Sequence, residues 1–120
     1  RIAESDGTAF VTLVTPTVDL AIESIAVTSD DTSAKLVSFA ITKGAVDYIL
    51  GTVNIPITAG QITATAAIDL LNLTSCPWLR MDSNGNRVLL LDNASVLKAK
   101  VVAAVNPGKF ISFFVQATEV

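Results

Sequence analysis

No stretch of this 120-residue chain sustains the 3.6-residue apolar period of a helix. Instead, short runs rich in β-branched and aromatic residues recur at intervals of about 10–15 residues, each closed by a turn signal. Runs of this type are read at Thr8–Thr15, Val18–Thr28, Ala34–Thr42, Val46–Ile55, Gln61–Ile68, Arg87–Leu91, Val96–Val105 and Phe110–Thr118. A brief pairing segment is expected at Trp78–Met81. The punctuation is supplied by Asp6-Gly7, Pro16, Ser29–Ser33, Lys43-Gly44, Thr58-Ala59-Gly60 and Asn106-Pro107-Gly108-Lys109. Asp69–Pro77 loses the alternation and reads as an irregular or single-turn helical crossover. Parallel βαβ units need helical crossovers, and none is available. The expected class is therefore all-β and antiparallel, a sandwich or barrel of about eight strands in one domain.

Within the runs, three details are informative. Leu20, Ile22 and Ser24 share one face of Val18–Thr28, and Ala21, Glu23 and Ile25 share the other. The shift of apolar character after Ser24 predicts a bulge or a change of sheet. Gly51 predicts a bend or bulge inside Val46–Ile55. In the last run, Phe110 and Phe114 fall on one face and Phe113 on the other, and both faces are expected to be core.

The chain is 51% hydrophobic but only 16% charged, against about 25% charged in an average domain. A chain of this length buries about two-thirds of its extended surface and needs neither disulfide nor metal to fold. No apolar stretch reaches the ~18 residues of a membrane helix. The apolar excess is expected either to enlarge the core or to meet another chain, a second copy or a partner. The net charge of -3 comes with no basic cluster, Lys98 and Lys100 being the closest pair. Nothing would track a nucleic acid backbone. A single cysteine, Cys76, excludes an intramolecular disulfide and reads as a packed thiol. No secretory signal is visible, and the start at Arg1 is that expected of a processed or trimmed chain. Residues 1–7 and the final "QATEV" are candidate arms.

Catalytic chemistry is hard to place. Histidine is absent, which removes the commonest general base and the usual zinc sites. Cys76 has no histidine to activate it, and no phosphate loop occurs. The adjacent acids Asp30-Asp31 read as solvated loop carboxylates. With aromatic residues at 6%, a sugar-cleaving cleft is not indicated. No enzyme activity, cofactor or metal is expected. Two glycosylation sequons, Asn72-Leu73-Thr74 and Asn93-Ala94-Ser95, are the chance product of a Ser- and Thr-rich chain. The stretch Asp82-Ser83-Asn84-Gly85-Asn86 is dense in oxygens. Its glycine is misplaced for a calcium loop, and the twelfth position counted from Asp82 is Asn93, where such a loop needs Glu. Asn84-Gly85 fits the tip of a hairpin, because both central residues of a type I′ turn need positive φ.

In order along the chain, "DGTAFVTLVT", "IESIAVTSDDTSAKLVSFAI", "YILGTVNIPITAG" and "IDLLNLTSCPWLRMDSNGNRVLLLDNASVLKAKVVAAVNPGKFISFF" resemble the small all-β decoration or cement proteins of tailed-bacteriophage capsids. The resemblance covers Asp6 to Phe114, with Cys76 and Trp78 in the crossover as its departure. It implies a jelly-roll-like β-sandwich located in the virion. It implies a non-catalytic protein that binds the outer shell surface, contacts the major capsid protein and stabilises capsomer contacts. A homo-oligomer, trimer or dimer, is expected, without nucleic acid or membrane. Candidate interface residues are Phe110, Phe113, Phe114, Trp78 and Tyr48. The alternative is a carbohydrate- or ligand-binding sandwich of adhesin type, with Trp78 and Tyr48 as stacking platforms.

Overall fold

A computed structural model provides the structure and describes residues 1–71, 76–81 and 87–120. The strands are β1 (Ile2–Ala3), β2 (Val11–Val14), β3 (Leu20–Ser29), β4 (Lys35–Lys43), β5 (Val46–Ile55), β6 (Ile68–Asp69), β7 (Arg80–Met81), β8 (Arg87–Leu91), β9 (Ser95–Val101) and β10 (Phe110–Glu119). A 3₁₀ turn, Glu4–Asp6, follows β1. One sheet runs β1-β10-β3-β8-β7, with β6 also paired to β3, and the other runs β2-β9-β4-β5. All pairs are antiparallel. Without the short β6 and β7, the order β1-β10-β3-β8 opposite β2-β9-β4-β5 is that of a jelly roll. The fold class expected from the sequence is therefore the one observed.

The core lies between the sheets. Ile22, Ile25 and Val27 of β3 meet Ile111 of β10 and Leu89 and Leu91 of β8 on one side. Val37 and Phe39 of β4 with Leu97, Ala99 and Val101 of β9 close the other. Period-two alternation puts these residues inward, and it is plainest in β9, where Ser95, Leu97, Ala99 and Val101 are buried and Lys98 and Lys100 lean outward.

Two bulges sit where the sequence placed them. Gln116 pairs with Ser24 but Ala117 pairs with Ile22, so Glu23 is the extra residue of β3. That insertion moves the inward phase from Ile22 to Ile25, which is the shift visible in the sequence. In β5, Gly51 pairs with Phe39 and Ile49 with Ala40, leaving Leu50 extra. The β4–β5 hairpin turns through Gly44 and Ala45, both at positive φ (59° and 64°), as a type I′ turn demands. Asn106-Pro107-Gly108-Lys109 also turns, with the Lys109 N–H donating to Asn106 O at 3.1 Å and Gly108 at φ 73°.

Other expectations are corrected. The strand expected at Gln61–Ile68 is absent except for Ile68, which joins β6; residues 61–65 curl through turns with one bridge, Ile62↔Thr65. Left-handed Thr58 and Gly60 close these turns, and Gly60 N–H donates to Thr65 O at 2.8 Å, so the segment satisfies its own backbone. The first run shrinks to Val11–Val14, and the run from Val96 ends at Val101. There Val102 N–H donates to Leu36 O before the chain leaves for the other sheet. Neither candidate arm is free: Ile2 and Ala3 pair with Ile111 and Phe110, Ile2 is fully buried, and Gln116–Glu119 pair with β3. The crossover opens with a short strand, Ile68–Asp69, paired to Val27 and Ala26. Arg80 pairs with Val88 and Met81 with Arg87, so β7 and β8 run antiparallel as a hairpin requires. The expected tip at Asn84-Gly85 lies outside the described residues.

Candidate functional site

The acidic loop Asp30-Asp31 was expected to be solvated, and the structure corrects this. Asp31 is 1% exposed. One carboxylate oxygen accepts from Ser33 N–H at 3.1 Å and from the Ser33 hydroxyl at 3.4 Å, and the other accepts from Asn106 N–H at 3.1 Å. Burial pushes the Asp31 pKa up, but the Asn106 and Ser33 hydrogen bonds and the Lys35 charge outweigh it and hold the carboxyl below its ordinary value. Asp30 accepts from Phe110 N–H at 2.7 Å while its own N–H donates to Phe110 O. These two acids stitch the β3–β4 loop to the turn before β10. They are backbone anchors, 75 and 80 residues from the amides they hold.

Other acids do the same work. Asp69 accepts from Ile25 N–H at 3.1 Å and Leu71 N–H at 3.0 Å. Asp19 accepts from Asn93 N–H at 2.9 Å. Asp92 accepts from Ala94 N–H and the Ser95 hydroxyl, and pairs with Lys43 at 2.8 Å. The Lys43 and Ser95 bonds hold the Asp92 carboxyl below its ordinary value. Among the described residues no group of three or more His, Cys, Asp or Glu side chains could hold a metal. Cys76 is buried, its thiol 3.6 Å from Leu70 O, as a packed thiol should be.

The five candidate interface residues divide. Phe113 faces inward and packs on the core. Phe110 is half-buried on the outer face, with the Arg1 guanidinium 3.9 Å from its ring centroid. Phe114 is 59% exposed, so the expectation that both faces of this strand are core fails. Among the described residues no second layer covers Phe114 on the outer face of its sheet. Tyr48 (55% exposed) lies on edge strand β5, and Trp78 (46% exposed) precedes β7 of the other sheet. The structure therefore does not assemble these rings into one platform. Ile49 and Leu90 add exposed apolar area that the sequence did not single out.

A shallow cleft of about 210 Å³ is lined by Asp19, Leu20, Leu90, Leu91, Asp92 and Val120. It is smaller than the ~300–1,000 Å³ of small-molecule sites, and both its carboxylates are engaged as above. On the opposite sheet, Lys100 lies 4.9 Å from the Phe10 ring centroid and Lys98 3.9 Å from Asp47. Lys98 thus has a carboxylate partner and Lys100 an aromatic one. Comparison of the chain with protein-family models, curated proteins and solved structures found no match.

Proposed function

We propose that the chain is a structural virion protein of a tailed bacteriophage, a decoration or cement module seated on the outer capsid surface in contact with the major capsid protein. The observation that supports this most is the division of labour among its side chains. The carboxylates of Asp30, Asp31, Asp69 and Asp92 hold the protein's own backbone, while Phe114, Ile49, Tyr48, Trp78 and Leu90 face outward. Such a molecule offers rigid apolar surface and little chemistry, which suits a shell-binding role. The jelly roll is shared by capsid and lectin domains, so the step from fold to role is one of analogy. Cosedimentation tests it: purified protein is mixed with empty shells of the phage that encodes it. Pelleting to a fixed stoichiometry is expected, and protein that stays in the supernatant at every ratio removes the reading.

A second reading, a carbohydrate-binding module, draws on the exposure of Tyr48 and Trp78. Their positions on different sheets argue against a single stacking surface. A glycan array with Tyr48→Ala and Trp78→Ala as controls decides it.

A further inference from the structure

Each sheet leaves one ten-residue strand unpaired along most or all of one side, β5 in one and β10 in the other, and the two edges differ. β5 is an open edge of its sheet, but its bulge at Leu50-Gly51 breaks the line of backbone groups. β10 is straight by comparison, because the extra residue of the β3–β10 pair, Glu23, belongs to β3. On its outer side β10 meets only β1, at Phe110 and Ile111. From Ser112 to Glu119 that side has no strand beside it among the described residues.

The direction of the backbone groups follows from hydrogen bonds. Phe110 exchanges bonds with Asp30, and Val120 N–H donates to Asp19 O, so even-numbered residues of β10 point toward β3. Ile25, which pairs with Val115, directs its N–H to Asp69 and its C=O to Leu70, away from β10. Val115 therefore points the other way, as do Phe113, Ala117 and Glu119. Four N–H and four C=O groups stand in a row along this edge. No lysine, arginine or proline interrupts Ser112–Glu119, and its one charge, Glu119, is at the end. Natural sheets normally block such an edge.

We infer that this edge pairs antiparallel with the same edge of a second copy, about a twofold axis at Gln116. An edge that alternates outward N–H and C=O groups is self-complementary under a twofold axis, which favours a second copy as the partner, and two features fix its orientation and register. An antiparallel copy places the two Glu119 carboxylates at opposite ends, whereas a parallel strand would stack them. β1 sets the register, since a partner strand running past Ser112 would collide with Ile2. The longest pairing that clears β1 puts Gln116 opposite Gln116, Val115 opposite Ala117, Phe114 opposite Thr118 and Phe113 opposite Glu119. The odd-numbered residues then exchange their outward N–H and C=O groups, and one continuous sheet runs through both copies. Gln116 occupies a non-hydrogen-bonded pair, where Cα atoms stand about 4.5 Å apart. The inference does not depend on the capsid reading, and its test uses isolated protein without shells.

The test combines solution mass with one cross-link. Sedimentation equilibrium of the protein across the micromolar range is expected to give a dimer. Mild oxidation of Gln116→Cys is expected to yield a disulfide dimer, because the predicted spacing lies within the ~4.4–6.8 Å that a disulfide tolerates. A cysteine at Thr52, exposed on the other sheet, serves as the control and is expected to remain reduced. Gln116→Lys sets two ammonium groups face to face, and Ala117→Pro removes an N–H that β3 does not use; each is expected to give a monomer with unchanged circular dichroism. A monomer at every concentration overturns the inference. So does a dimer that survives both substitutions, or a Gln116→Cys protein that cross-links no faster than the Thr52 control.

Discussion

At the scale of single residues, the chain relies on short polar side chains placed far in sequence from the amides they bind. Asp31 is the clearest case. Asn at this position would set an amide N–H₂ against one of the N–H donors it now accepts, so Asp31→Asn is expected to cost about 1–3 kcal/mol. Chemical denaturation at neutral pH measures it. The pH dependence has a definite sign. The Asp31 carboxyl is held below its ordinary value in the folded state, so its contribution is complete above the unfolded value of about 4 and is lost as pH falls through the folded value. The stability gap between the wild type and Asp31→Asn should therefore be constant from neutral pH down to about pH 5 and narrow below about pH 4. A gap unchanged at low pH would remove Asp31 as the anchor.

Gly60 is the second residue with a sharp requirement. It sits at φ 72°, and a Cβ there would lie 2.5 Å from Thr28 Cγ2. Gly60→Ala combines left-handed strain with a clash and is expected to cost about 2–4 kcal/mol. Thr28→Ala removes the methyl but not the strain, so the double variant should recover part of the loss and no more. Full additivity in a double-mutant cycle would contradict the close approach.

At the scale of elements, the sequence recorded the strands well and their ends less well. Val46–Ile55 and Arg87–Leu91 were read to the residue, because type I′ chemistry and β-branched runs are local. Gln61–Ile68 alternates as convincingly as any strand, yet among the described residues only Ile68 pairs with a neighbouring strand, and left-handed turns at Thr58 and Gly60 lead the rest into a curl. Alternation reports which residues could share a face, and pairing depends on what lies beside them. The β4–β5 hairpin carries a residue of the wrong type: Ala45 holds φ 64° although it has a Cβ. Ala45→Gly is expected to raise stability by about 0.5–1 kcal/mol, read as a higher Tm, since relief of left-handed strain exceeds the added entropy of the unfolded chain. A lower Tm would mean the turn is not type I′.

At the scale of the molecule, the two sheets share one core, and Phe39 is the largest of its fully buried side chains. Phe39→Ala is expected to cost about 3–5 kcal/mol by cavity formation, measured by denaturant titration. Calcium should leave the Tm unchanged, because the carboxylates of Asp30, Asp31, Asp69 and Asp92 already serve backbone N–H groups. A calcium-dependent rise of several degrees would show that a cation site exists and that the oxygen-rich stretch from Asp82 had been misread.

By itself, the sequence determined the all-β class, the turns at Gly44 and Gly108, the bulges near Ser24 and Gly51 and the packed thiol of Cys76. Each depends on residues a few positions apart, where φ preferences and period-two alternation act directly. The tertiary structure alone decided that β10 lies between β1 and β3, that the order is a jelly roll, and that Asp30 and Asp31 anchor a turn about 75 residues away. It also decided which face of β10 is core, leaving Phe113 inside and Phe114 outside. Strand alternation defines two faces but assigns neither to the interior. Only the arrival of a second sheet on one side, fixed by contacts distant in sequence, makes that choice.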